Sequence, residues 1–250
     1  MKQGISFLIS IFLARLLSPS DFGLVGMATV FISLTQSFSD LGLTAGLIQK
    51  KEPTNIEYNT VFYINLFLSV LLMILMIAFS GLIGEYYKNP EVGRIARFVS
   101  YGFVINAING VQNAQLTKAL ANKVKTIAAV SNSFVTGIVG IGLAYLGFGV
   151  WSLVYSALAG SIVNTIVIWH YSKWRPKKIF NFRKVKPLLK YGTKIFASGL
   201  LDIIYNRIDV LLIGKIYSSS ILGQYYRALS FNQFIAQYSS NAVGSVFFPI

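Results

Sequence analysis

The 250-residue sequence contains no cysteine and a single histidine, His170. Without cysteine there is no disulfide framework, zinc ribbon or thiol nucleophile, and one imidazole does not make a histidine-based metal site. Charge is scarce as well. Only 12% of residues are charged, about half the share of an ordinary soluble domain, and 8 are acidic against 22 basic. The scarcity is local: no charge occurs between Glu57 and Glu85, between Arg97 and Lys118, or between Lys125 and Lys173. Those blocks draw on a composition that is 54% hydrophobic. About 20 apolar residues cross the hydrocarbon core as one helix, so the first two blocks hold one span each and the third holds two. The fold class is therefore an all-α integral membrane protein, a multi-spanning helical bundle.

Uncharged length and turn punctuation together predict eight helices, with cores at 4–17, 21–47, 58–84, 94–116, 123–146, 149–172, 187–216 and 220–250. Ser18-Pro19-Ser20-Asp21 stops one helix and caps the next. Asn89-Pro90, Leu146-Gly147-Phe148-Gly149 and Ser218-Ser219-Ser220 read as further turns. The first core is short and the last residues carry no polar tail, so the chain is expected to be a fragment; a signal peptide at the start is the alternative. The basic residues fall in alternate connections: Lys50 and Lys51, then Lys118, Lys123 and Lys125, then eight between Lys173 and Lys190. Cytoplasmic loops carry such an excess, which places those connections and the amino terminus in the cytoplasm. The net charge of +14 is then topology and headgroup contact, not a nucleic-acid footprint. The aromatic cluster around His170 reads as an interfacial belt.

Shifting the chain by 200 residues superimposes Ser18, Ser20, Gly23, Ala28, Phe31 and Ser39 on Ser218, Ser220, Gly223, Ala228, Phe231 and Ser239, and Arg15 on Lys215. This suggests a parallel internal repeat, with residues 1–172 as a first lobe, 173–186 as a basic loop and 187–250 as the start of a second.

Polar residues inside the spans recur every three or four positions: Thr29, Ser33, Ser37, Asp40 and Thr44; Asn106, Asn109 and Asn113; Lys194, Ser198, Asp202, Asn206 and Asp209; Ser230, Gln233, Gln237, Ser240 and Gly244. Charges facing lipid are costly, so such stripes face the bundle interior or a water-filled cavity. Interhelical hydrogen bonding is the simpler account of the hydroxyls. The candidate cavity residues are Arg15, Asp40, Asp202, Asn206, Arg207, Asp209 and Lys215. Of these, Arg15, Arg207 and Lys215 are candidates to pair with phosphate, and the aspartates to hold those cations or to carry a coupling proton or sodium ion. No other cofactor and no metal site is expected.

The segment from Phe12 to Leu43, followed by Leu47-Ile48-Gln49-Lys50-Lys51-Glu52-Pro53-Thr54, resembles the start of the Wzx-type polysaccharide flippases. Those proteins share a superfamily with lipid II flippase and the multidrug and toxin extruders. Asn59-Thr60-Val61-Phe62, Val111-Gln112-Asn113-Ala114, the run from Leu146 to Leu153, Ser172 to Lys177 and Asp209 to Lys215 are similar to later blocks of that family. The resemblance implies two six-helix lobes around a central cavity. It also implies an undecaprenyl-pyrophosphate-linked oligosaccharide as substrate, for lipopolysaccharide, O-antigen or exopolysaccharide, with other polysaccharide assembly proteins as partners. Two alternatives stay open: a cation-coupled extruder of the same fold, and a membrane enzyme of polysaccharide assembly. Against the enzyme stands the lack of a Ser-His-Asp set, a P-loop or an acidic sugar-nucleotide site.

Overall fold

The structure is a computed structural model that describes residues 2–229. Among these residues there are nine helices and no strand: α1 (Lys2–Leu16), α2 (Pro19–Ser37), α3 (Leu43–Gln49), α4 (Asn55–Tyr86), α5 (Pro90–Val99), α6 (Tyr101–Lys118), α7 (Asn122–Tyr145), α8 (Val150–Tyr171) and α9 (Phe182–Ile216). A further helical segment occupies 219–229. Of these, α4, α7 and α8 are each long and apolar enough to cross a membrane alone. The protein is a membrane protein on that ground. The fourth expected stripe, Ser230 to Gly244, lies outside the described residues.

Local sequence accounts for the helix ends. Ser18 caps α2 by accepting from the Asp21 amide, the Asp21 carboxylate accepts from the Ser18 amide in return, and Pro19 sits where no amide is needed. Thr54 and Glu57 repeat this box at α4, and Asn89 caps α5 ahead of Pro90. The last carbonyls of α3 and the turn after it converge on one ammonium group. Lys118 Nζ donates to the carbonyls of Ile48 (3.4 Å), Lys50 and Lys51 (2.9 Å), which satisfies a helix end that has no further turn to bond.

Three expectations are corrected. The single helix expected over 21–47 is two. Leu41 and Gly42 take positive φ (47° and 73°), and Gly42 carries no Cβ because one would lie 2.1 Å from the Gly192 carbonyl oxygen on α9. The helix expected over 94–116 also divides, at Ser100, into an amphipathic α5 and a longer α6. Both pieces pack along α4, so they still return the chain from one pole to the other. Finally, α9 starts at Phe182, not 187, and carries Pro187 inside it. A proline that early forfeits one ladder bond near an end already poor in them.

Two poles result. At the basic pole, the segment between α8 and α9 is laid onto α4 by its backbone: the Lys177 amide donates to Asn59 Oδ1 and the Asn181 amide to Thr60 Oγ1 (3.0 Å). Both acceptors are buried. Lys50 Nζ lies 2.5 Å from Glu57 at the same pole. Because Asn59 is the tether, Asn59→Leu should release this segment. Trypsin should then cut at Lys177 and Lys178 several-fold faster in detergent-solubilised protein, with cleavage in the 118–125 turn unchanged; equal cleavage at both places would refute the tether.

At the other pole the 200-residue shift becomes a contact. A Cβ on Gly23 would fall 1.8 Å from the Ser219 carbonyl oxygen, and one on Gly223 would fall 1.7 Å from the Pro19 carbonyl oxygen. Gly26 lies against the ring of Tyr226, 3.1 Å from its would-be Cβ. Residue i meets i+200, and the flanking contacts exchange in the same way, as they do about a two-fold axis.

Candidate transport face and flanking clefts

Among the described residues, the polar stripe of α9 lies on a face that neighbouring helices leave uncovered. Lys194, Ser198, Asp202 and Asn206 are all exposed, as are Leu201 and Tyr205 beside them, whereas Val185, Leu188 and Gly192 at one end and Val210 and Gly214 at the other are buried. The helix is therefore gripped at both ends and open along its middle. Asn206 Nδ2 donates to Asp202 at 2.9 Å, which aligns the two side chains on one turn pair. One turn on, Asp209 accepts the Tyr225 hydroxyl at 2.5 Å, tying α9 to the 219–229 helix. Lys215 donates to the Tyr86 carbonyl at 2.5 Å and lies 4.1 Å from that ring's centroid. Arg227 does the same for α1 and α2: it donates to the Leu17 carbonyl at 2.8 Å and lies over Phe22.

The expected pairing of aspartates with cations does not form. The ion pairs among the described residues are Lys50–Glu57 and Arg94–Glu91. Arg15 is exposed on α1, away from α9's acids, and Arg207 is half-buried without a carboxylate in reach. Asp40 stands apart from Asp202 and Asp209. It sits in the α2–α3 break, half-buried, and accepts three donors: the Thr44 amide (3.0 Å), the Thr44 hydroxyl (2.5 Å) and Asn65 Nδ2 (2.6 Å).

Of the polar interior behind Asp40, sequence spacing caught only Asn109. Asn65 and Ser69 on α4, and Asn109 and Gln112 on α6, are buried; Asn109 donates to Thr165 of α8 at 2.6 Å. Asn65 Oδ1, Ser69 Oγ and both polar atoms of the Gln112 amide lack partners. In α4 the only signal was two small polar residues one turn apart inside an otherwise apolar block. In α2, by contrast, Thr29 and Ser37 bond their own helix, donating to the Val25 and Leu34 carbonyls. Such back-bonded hydroxyls are self-satisfied.

Two clefts flank α4. One, of about 770 Å³, is bounded by α2, α4 and α9 and is almost wholly apolar, with Phe31, Phe38, Phe79 and Leu211 among its walls. The other, of about 660 Å³, opens between α4 and α5 and has Glu85, Lys88, Arg94 and Arg97 among its walls.

A family model described as "Polysaccharide biosynthesis protein" matches residues 12–250. The chain belongs to this family. Among curated relatives, it is 25% identical over 222 residues to the lipopolysaccharide biosynthesis protein WzxC of Escherichia coli, covering 85% of this chain and 44% of that one. It is 23% identical to the succinoglycan biosynthesis transport protein ExoT of Rhizobium meliloti (98% and 50% covered). It is 28% identical to the teichuronic acid biosynthesis protein TuaB of Bacillus subtilis (79% and 41%). This member of the polysaccharide biosynthesis family thus spans about half the length of those relatives. A solved inward-facing multidrug resistance MATE family transporter of the MOP superfamily superimposes with a TM-score of 0.68 over 91% of this chain and 57% of that one, at 17% identity. The chain has that transporter's fold.

Proposed function

We propose that this family member supplies the first lobe, and the opening of the second, of a flippase. It would carry an undecaprenyl-pyrophosphate-linked oligosaccharide from the cytoplasmic to the periplasmic leaflet for assembly of a surface polysaccharide. The observation that carries the reading is the uncovered polar face of α9, set in a transporter fold and in a family whose named relatives serve polysaccharide biosynthesis. A sugar chain cannot cross hydrocarbon with its hydroxyls unsatisfied, since each unmet polar group costs several kcal/mol there. An amphiphilic stripe bearing Lys194, Asp202 and Asn206 offers partners at mid-depth, while the prenyl tail remains in lipid.

In this reading residues 1–172 form one lobe, 173–186 the basic connection, and 187–250 begin the repeat; the crossing of Gly23 with Gly223 supports that division. The basic pole faces the cytoplasm, together with the amino terminus, in the inner membrane. Rocking of the two lobes exposes the α9 face to each side in turn, and Arg15, Arg207 and Lys215 meet the pyrophosphate. The role is transport, not catalysis, with a proton or sodium ion as the coupling species.

Deleting the gene should stop export and leave lipid-linked oligosaccharide in the cytoplasmic leaflet. Arg207→Ala or Asp209→Asn at the native locus should reduce export at least tenfold while membrane insertion continues, on the scale of one lost charge-assisted contact to phosphate or tyrosine. Normal export in both variants would remove α9 from the path.

A further inference from the structure

The cleft between α4 and α5 lies at the pole opposite the basic loops and belongs to none of the machinery above. Its walls hold Lys88, Arg94 and Arg97 against one carboxylate, Glu85. Arg94 is already neutralised, 3.0 Å from Glu91, which also accepts the Trp151 indole at 2.8 Å. Arg97 is not. Its Nε and Nη2 both donate to Ser80 Oγ at 3.2 Å. Ser80 is 1% exposed and spends its own proton on the Ile77 carbonyl. A neutral, fixed acceptor therefore holds the guanidinium across the cleft, while its charge stays uncompensated: neither Arg97 nor Lys88 is within ion-pair distance of a carboxylate.

The position fits a lipid headgroup. Arg97 lies two turns along α5 from Pro90, about 10 Å along the axis, and its bond to Ser80 keeps it near the end of α4's uncharged block, which closes at Glu85. Along α4, Phe67, Leu71, Ile74 and Ala78 form one exposed apolar face that continues into Gly81 and Glu85 of the cleft. The spacing of four, three, four, three and four keeps these residues on one side of the helix. An acyl chain lying on this face would bring its phosphate to Arg97 and Lys88, and guanidinium and ammonium groups are the usual partners of phosphate oxygens.

We propose that the α4–α5 cleft binds the anionic phosphate head of a lipid in the leaflet at this pole, gripped by Arg97 and Lys88, with its chains along α4. The test is native mass spectrometry of the detergent-solubilised chain with phosphatidylglycerol or phosphatidylcholine added. The wild type should retain phosphatidylglycerol preferentially. The double variant Arg97→Gln, Lys88→Gln should retain about tenfold less, the scale of two exposed ion pairs. Ser80→Ala, which unties Arg97 but keeps its charge, should show a smaller loss, and Glu85→Gln a gain. Both altered cations are exposed, so circular dichroism should be unchanged; Lys178→Gln with Lys184→Gln at the basic pole serves as the control. Equal retention by wild type and double variant overturns the site, as does an equal loss in the control. Farnesyl pyrophosphate separates the sources. Displacement of phosphatidylglycerol from the wild type means a prenyl pyrophosphate also enters the cleft, and no displacement means a resident bilayer lipid; both require the wild-type preference first.

Discussion

Gly23→Leu should separate the two repeats and abolish export. The space for a side chain does not exist, because the Ser219 carbonyl occupies the place of the first side-chain atom at 1.8 Å. Overpacking a fitted core costs about 1–3 kcal/mol, and here the obstacle is backbone, which cannot rotate away as a flexible side chain would. Relief requires the 219–229 helix to leave α2. That motion strips Arg227 from the Leu17 carbonyl. Even Gly23→Ala should lower the melting temperature of purified protein by several degrees. The absence of cysteine gives a clean reporter: Gly26→Cys and Tyr226→Cys, at positions where a Cβ on Gly26 lies 3.6 Å from Tyr226 Cγ, are then the only thiols, and an oxidant should cross-link them in the parent and not beside Gly23→Leu. Cross-linking at the parent rate, with export intact, would show that the close crossing is dispensable. Gly223→Leu should match Gly23→Leu, since the two positions exchange roles; an effect from one alone would mean that the symmetry has no energetic content.

That crossing was partly legible in the sequence. Six identities at one offset, with turn falling on turn, named Gly23 and Gly223 as equivalents. They did not say that equivalents touch, because an offset carries no distance. The spans were legible for a plainer reason: hydrocarbon excludes charge, so Glu57 to Glu85 had to lie in one helix, and it does. Turns that use special chemistry were legible too. Ser18-Pro19 and Asn89-Pro90 supply caps and remove amides where a helix begins. The break at Ser100 uses no such chemistry. The residue stays in the right-handed region (φ −60°, ψ −25°) and its amide still bonds the Ala96 carbonyl. The helix is interrupted there with no residue marking it. The break at Leu41–Gly42 had a glycine, but a lone glycine among apolar residues is equally at home inside a membrane helix. Polar stripes gave the least reliable guidance. Thr29 and Ser37 kept the right spacing and turned out to bond their own helix, while Gln112, which is fully buried, lay off every polar stripe.

The Leu41–Gly42 break makes Asp40 the most consequential acid in the bundle, and replacing it separates its two roles. As a cap, the carboxylate closes the open amino end of α3 through the Thr44 amide and draws Asn65 of α4 against it. A helix amino terminus inside a membrane has no water to turn to, so an uncapped amide costs several kcal/mol there. As an anion, it carries a full charge with three donors and no cation within ion-pair distance. Asp40→Ala removes both roles. It should destabilise the protein by about 2–4 kcal/mol, the sum of a lost cap and a stranded Asn65 amide, and stop export. Asp40→Asn is the deciding variant. Its side-chain oxygen can still accept from Thr44, so the α3 cap and the melting temperature should survive nearly intact. If the charge itself works in transport, export should fall at least tenfold in this folded variant. Export at the parent level with Asp40→Asn, alongside failure with Asp40→Ala, would make Asp40 a cap alone and leave the acids of α9 to serve the substrate path.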